Sequence, residues 1–169
     1  MDDAEVEARA RAIEVLMLDV DGVLTDGKVI LLPNGDEGKT FHVRDGLGIQ
    51  LMKAAEVAVV FVSGKASEVV RQRAEELGVE HVHLGIPDKV ATYEKLKNQL
   101  DVTDDKVAYV GDDLPDLALL ERCGLGFAVA DAAPEVRTTA HVVLRAGGGQ
   151  GAVREACERI LKAKGAWIG

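Results

Sequence analysis

The sequence predicts a three-layer α/β fold: a doubly wound parallel sheet carrying a projecting β-hairpin, in a single domain. Three observations carry that prediction. Short runs of branched and apolar residues alternate along the chain with amphipathic stretches of helical length, the pattern of buried parallel strands joined by crossover helices. Three of those runs end in residues of one chemical kind, Asp19-Val20-Asp21, Ser63-Gly64 and Gly111-Asp112-Asp113. A length of 169 residues supplies one domain with a sizeable core and is too short for two of ordinary size.

Taken in order, residues 13–18 read as a buried strand ending at Asp19. Residues 29–32 and 39–43 flank the turn-rich Pro33-Asn34-Gly35-Asp36-Glu37-Gly38, so residues 27–43 are expected to form the projecting hairpin. A helix follows, with Leu47, Leu51, Met52 and Ala55 on its apolar face. Residues 57–62 form a second buried strand ending at Ser63, and a helix over 66–77 stops at Gly78. Then come a strand over 81–84, a helix over 90–100 and a strand over 106–110 that ends at Gly111. A helix over 117–123 stops at Gly124. Short strands over 125–129 and 141–144 flank a helix that starts at Pro134. Gly147-Gly148-Gly149-Gln150-Gly151 reads as a flexible break, opening a C-terminal segment, residues 147–169, with a helix from about Ala152 to Lys164.

Composition excludes several functions. Lys and Arg total 20 against 29 Asp and Glu, for a net charge of -9. Such a field repels polyanions, so no nucleic acid and no anionic membrane is expected as a partner. Aromatic residues make up 4%, too few for stacking platforms along single strands. No apolar run has membrane-spanning length and residues 1–11 have no signal-type core, so a cytoplasmic protein is expected. Cys123 and Cys157 have no metal-ligand spacing and read as buried reduced thiols. His42, His81, His83 and His141 lack accompanying ligands and read as structural or surface residues.

The strand ends carry the chemistry. Ligands of doubly wound sheets sit beyond the carboxyl ends of the strands, where Asp19, Asp21 and Asp112 would gather. Clustered carboxylates repel one another and call for a cation, and Mg²⁺ prefers hard oxygen donors. A carboxylate can also attack phosphorus, while a second one moves a proton to the leaving oxygen. Ser63 offers a hydroxyl, Gly64 a close backbone N–H and Lys89 a compact positive charge, the donors that a transferring phosphoryl group needs. Asp113 and Asp116 read as supporting carboxylates or helix-start acids.

In order and context, Asp19-Val20-Asp21-Gly22-Val23-Leu24-Thr25-Asp26-Gly27, Ser63-Gly64, Lys89 and Gly111-Asp112-Asp113-Leu114-Pro115-Asp116 resemble the four motifs of the haloacid dehalogenase superfamily of phosphohydrolases. The resemblance implies a Rossmann-like fold with Asp19 as nucleophile and Asp21 as general acid and base. It implies Ser63 and Lys89 on the phosphoryl oxygens, and Mg²⁺ on Asp19, the main-chain carbonyl of Asp21 and Asp112. Neither the stretch between Asp21 and Ser63 nor that between Ser63 and Lys89 can hold a cap domain. An open site grips a small substrate poorly, so a neighbouring subunit is expected to cover it.

Residues 41–49, PheHisValArgAspGlyLeuGlyIle, and 148–155, GlyGlyGlnGlyAlaValArgGlu, are similar to segments of the 3-deoxy-D-manno-octulosonate (KDO) 8-phosphate phosphatases. That likeness implies a capless, Mg²⁺-dependent homotetramer that hydrolyses the phosphate ester of a 2-keto-3-deoxy sugar acid made for lipopolysaccharide. Its hairpins form a central barrel, and its tail can fold over a neighbouring site. One departure stands out. The family's usual Arg after the second-motif glycine is Lys65 here, which keeps the charge and loses the bidentate fork. Arg73 matches a second basic position facing the substrate, and Arg44 either orients the hairpin or touches substrate. Lys65 leaves nine-carbon 2-keto acid phosphates open as substrates. A non-catalytic oligomerisation module, as in sugar-nucleotide synthetases, is the alternative of another class, and the full motif set argues against it.

Overall fold

The four residues Val15–Leu18 are all apolar and all buried, and this strand, β1, forms the middle of the molecule. The computed structural model describes residues 2–169; Met1, the first residue of the charged N-terminal stretch, lies outside the described residues. Helix α1, Asp3–Ala12, precedes β1 and is capped by the Asp2 carboxylate, which accepts from Glu5 N. After β1 come the hairpin strands β2, Ile30–Leu31, and β3, Glu37–Gly38. The chain continues through α2 (Val43–Ala54), β4 (Ala58–Ser63), α3 (Glu68–Leu77), β5 (His81–Leu84) and α4 (Lys89–Leu100). Then follow β6 (Val107–Gly111), a 3₁₀ turn over Leu114–Asp116, α5 (Leu117–Leu120) and β7 (Leu125–Ala128). Last come α6 (Pro134–Thr139), β8 (Val142–Val143) and α7 (Ala152–Ala163).

Six strands form one parallel sheet in the order β5-β4-β1-β6-β7-β8, and β2-β3 form a separate antiparallel pair. The chain winds outward from β1 through β4 to β5, then returns to the far side of β1 at β6. The strand order therefore reverses between β1 and β6, where a crevice opens at the carboxyl edge. Register fixes what meets there. Leu18 lies beside Phe61 and Val110, so Asp19, Ser63 and Asp112 leave the sheet along the same edge. Helices α1, α7, α2 and α3 pack as one group and α4, α5 and α6 as another, flanking the sheet. No helix among the described residues is long and apolar enough to cross a membrane.

Four expectations need correction. The second hairpin strand is Glu37–Gly38 rather than 39–43, because His42 Nδ1 accepts from Arg44 N and a helix starts at Val43. On α2, Leu47 is exposed, and the buried face is Asp45, Gly46, Gly48, Ile49 and Met52. Small residues win that face because α7 comes so close: a Cβ on Gly48 would lie 3.3 Å from Arg154 Cα and from Cys157 Cβ. The glycine-rich run 147–151 is no free linker, since it packs against the first strand-end loop, as described below. Helix α1 was not expected at all.

Cys123 and Cys157 are free and buried. Burial pushes the Cys123 thiol up to about 12 and raises that of Cys157 further, which makes both poor nucleophiles. His81 and His83 lie half-buried on β5, and His141 Nδ1 accepts from Gly126 N at 2.7 Å.

Candidate active site

The loop after β1 is wound tightly on itself. Val20 O accepts from the N–H groups of Val23, Leu24 and Thr25, at 3.2, 2.9 and 3.1 Å. The buried Thr25 Oγ1 accepts from Gly22 N and Gly27 N, both at 3.2 Å. Gly22 has a φ of +93°, and a Cβ there would stand 2.0 Å from Asp112 Oδ2. Glycine is thus required twice, for the backbone angle and for the carboxylate beside it. The 147–151 run buttresses this loop: Gly149 N donates to Val23 O at 3.0 Å, and a Cβ on Gly148 would lie 1.8 Å from Gly22 O.

Each strand end then delivers one side chain. Asp19, at the end of β1, is buried and accepts from Lys89 Nζ at 2.5 Å. Lys89 opens α4, whose cap Asp88 accepts from Ala91 N. Ser63 ends β4, buried, with Oγ accepting from Lys65 N at 3.1 Å and its own proton free to point into the pocket. Asp112 follows β6. Asp19, Asp21, Ser63, Gly64, Lys65, Lys89, Asp112, Asp113, Pro115 and Asp116 line one pocket of about 220 Å³.

One oxygen each from Asp19, Asp112 and Asp116 lies within 4.8 Å of the others. Their electrostatics differ. Burial, then repulsion from Asp116, raises Asp19 to about 7 against the pull of Lys89. Burial, then the charges of Asp19 and Asp116, raises Asp112 to about 8. Burial opposes the charge on Lys89, but the two carboxylates beside it prevail and raise its pKa above the ordinary lysine value. Asp116 is committed elsewhere: Oδ1 accepts from Tyr109 OH and Lys89 Nζ, both at 2.6 Å, and Oδ2 from the N–H groups of Asp112 and Asp113 at 2.9 and 3.3 Å. Its acceptor capacity is filled. Asp19 and Asp112 keep free oxygens and an under-compensated negative charge, a donor set that fits a hard divalent cation.

The carboxylate of Asp21 stands outside that cluster and pairs with Lys39. Lys65 points to the hairpin, with Nζ 2.5 Å from Glu37 Oε1. Arg73 does not line this pocket. Its guanidinium pairs with Glu76 at 2.7 Å and stacks 5.7 Å from the centroid of Phe41. Arg44 is exposed and lines a different hollow with Arg145, Gln150 and Arg154. Sequence reasoning missed Tyr109, which carries no signal beyond being a polar ring in a buried strand. It also missed Lys39, which reads in the sequence as the exposed first residue of the second hairpin strand.

A parallel sheet with a nucleophile-capable aspartate, a phosphate-type donor set and a hard-cation cluster at its switch point defines a phosphohydrolase of the haloacid dehalogenase kind. Residues 81–151 match the haloacid dehalogenase-like hydrolase family model. The chain is 43% identical over 162 residues to the KDO 8-phosphate phosphatase of Escherichia coli, covering 96% of this chain and 86% of that protein. The crystal structure of the Yersinia pestis KDO 8-phosphate phosphatase superposes with a TM-score of 0.96 at 41% identity, covering 98% of this chain and 89% of that one. That of the Moraxella catarrhalis enzyme, in complex with magnesium ion, phosphate ion and KDO, gives 0.95 at 38% identity, with 97% and 94% covered. This chain belongs to the KDO 8-phosphate phosphatase family.

Proposed function

We propose that this protein hydrolyses the phosphate monoester of a 2-keto-3-deoxy sugar acid, KDO 8-phosphate, through an aspartyl-phosphate on Asp19. The observation that carries the reading is the convergence of Asp19, Ser63, Lys89 and Asp112 on one pocket at the switch point of the sheet. Asp19, Asp112 and the main-chain carbonyl of Asp21 would hold Mg²⁺, which when bound neutralises and orients the phosphate.

The chain's own groups do the rest. The Ser63 hydroxyl, the Gly64 N–H and the Lys89 ammonium hold phosphoryl oxygens and offset their charge. Lys89 also fixes the Asp19 carboxylate, at 2.5 Å, so that one oxygen faces phosphorus. Asp19 attacks, the P–O bond to the sugar breaks, and Asp21 gives its proton to the departing alkoxide. Asp21 then takes a proton from water as that water attacks phosphorus. The P–O bond to Asp19 breaks, releasing inorganic phosphate and restoring the Asp19 carboxylate and the protonated Asp21 carboxyl. Asp116, hydrogen-bonded at both oxygens, keeps Lys89 and the Asp112 loop in register.

A pocket of about 220 Å³ is below the usual range for a whole ligand, so it accounts for the phosphoryl end alone. The rest of the grip comes from neighbouring copies. Val29, Ile30, Leu31 and Leu32 on the hairpin are 51, 46, 76 and 44% exposed, an apolar run that a monomer has no reason to present. The expected assembly is a homotetramer in the cytoplasm, where two free buried thiols stay reduced. Light scattering is expected to give the mass of four chains, and a fully active monomer would contradict the shared site.

The decisive test is phosphate release by the purified protein across 2-keto sugar-acid phosphates and simple sugar phosphates, with and without Mg²⁺. KDO 8-phosphate is expected to give the highest kcat/KM, and only with the metal. Lys65, tied to Glu37 where the family usually has Arg, favours one second reading, a nine-carbon 2-keto acid 9-phosphate. A higher kcat/KM on that substrate would replace the first.

A further inference from the structure

The side chain of Lys39 is 1% exposed, and Asp21 Oδ1 accepts from its ammonium. Burying an ammonium is costly unless it is paired, and here Nζ pairs with Asp21. Lys39 directly follows β3, and two positions earlier Glu37 pairs with Lys65. The foot of the hairpin is thus joined to the pocket by two oppositely polarised ion pairs, each linking one hairpin residue to one pocket residue. Asp21 sits in a loop, its side chain 31% exposed, and Lys39 is what holds its carboxylate. Being buried, the lysine cannot reach substrate itself.

We infer that Lys39 is a positioning residue for Asp21: it fixes the Asp21 carboxyl group, the proposed proton donor, at the mouth of the pocket and ties its orientation to the seating of the hairpin. The inference rests on Asp21 being the general acid. A general acid matters in proportion to how poor the leaving group is. A sugar or simple alkyl alkoxide needs the proton, whereas p-nitrophenolate departs without it. The parameter kcat/KM reports only steps up to departure of the leaving group, so it isolates this role from the later use of Asp21 as base.

The experiment compares kcat/KM for KDO 8-phosphate, an alkyl phosphate and p-nitrophenyl phosphate, all with Mg²⁺, in the parent, Lys39→Met, Lys39→Arg and Asp21→Asn. Lys39→Met is expected to lose ~100-fold on the two alkyl esters, a typical share of general-acid catalysis, and under ~5-fold on the aryl ester. Lys39→Arg is expected to recover most of the alkyl activity, and Asp21→Asn to show the same leaving-group split in stronger form. If Lys39→Met does not fold, Lys39→Gln carries the same comparison. An equal loss on all three esters in the Lys39 variants, with the split intact in Asp21→Asn, would overturn the inference alone. Absence of the split in Asp21→Asn would instead remove Asp21 as the acid and the inference with it.

Discussion

Asp19→Asn is expected to fold like the parent and to release no measurable phosphate, with kcat down by at least ~10⁴-fold, as when a nucleophile is removed from a covalent mechanism. The substitution is isosteric, and its amide oxygen can still accept from Lys89, so the pairing at 2.5 Å is weakened rather than abolished. The backbone bond from Asp19 N to Val110 O is untouched, and β1 stays buried in its sheet. What is lost is the anionic oxygen that, in the proposed mechanism, forms the bond to phosphorus. Two measurements decide it. Acid quenching of the parent during turnover of phosphate-labelled substrate is expected to leave label on the protein, and the variant is expected to leave none. Circular dichroism is expected to superimpose. Parent-level turnover in a clean Asp19→Asn preparation would remove Asp19 from the nucleophile's place.

The carboxylate at that place was legible because the strands that present it are short, apolar and doubly buried, so each ends abruptly where polarity begins. Asp19, Ser63 and Gly111 mark those ends in the sequence, and the sheet register turns three separate marks into one edge. Other features were hidden for physical reasons. In α1 the apolar positions Ala4, Val6, Ala8, Ala10 and Ala12 recur every second residue, a strand-like period. The Ala, Glu and Arg content together with the Asp2 cap nevertheless give a helix, in which only Ala10 is buried. On α2, size rather than hydropathy decides which face packs: Gly48 faces α7 while Leu47 faces out. The 147–151 glycines look like a linker by composition, yet one of them is needed because the Gly22 carbonyl occupies the space of its side chain. Lys39 is buried wholly by tertiary folding, which periodicity cannot report.

The metal-free protein is expected to lose stability as pH rises, and Mg²⁺ is expected to restore it. Asp19 and Asp112 stand at about 7 and about 8 in the folded chain, against ~3.9 when unfolded. Between those limits the native state binds more protons than the unfolded state. Stability therefore falls with rising pH from about 4 through about 8, the opposite of the usual salt-bridged carboxylate. A divalent cation binds the ionised pair and draws the balance back, by ~2.7 kcal/mol at a hundredfold excess over its Kd. In a domain of this size that raises Tm by ~5–10 °C. The Mg²⁺ shift in a melting curve is thus expected to be small near pH 6 and largest near pH 8.5. Asp112→Asn removes one of the two charges in question, and its Oδ2 neighbour Gly22 leaves room for an amide of the same shape. The variant is expected to melt at least ~3 °C above the parent in EDTA at pH 8.5, the shift ~1 kcal/mol gives, and to respond little to Mg²⁺ while losing turnover. A parent melting point that rises with pH in EDTA would show that the carboxylates are not held against one another. An undiminished Mg²⁺ shift in Asp112→Asn would place the ion elsewhere. The same repulsion that weakens the empty site makes it attract a cation, so a gain in metal-free stability and a loss of function in one variant are two readings of a single electrostatic fact.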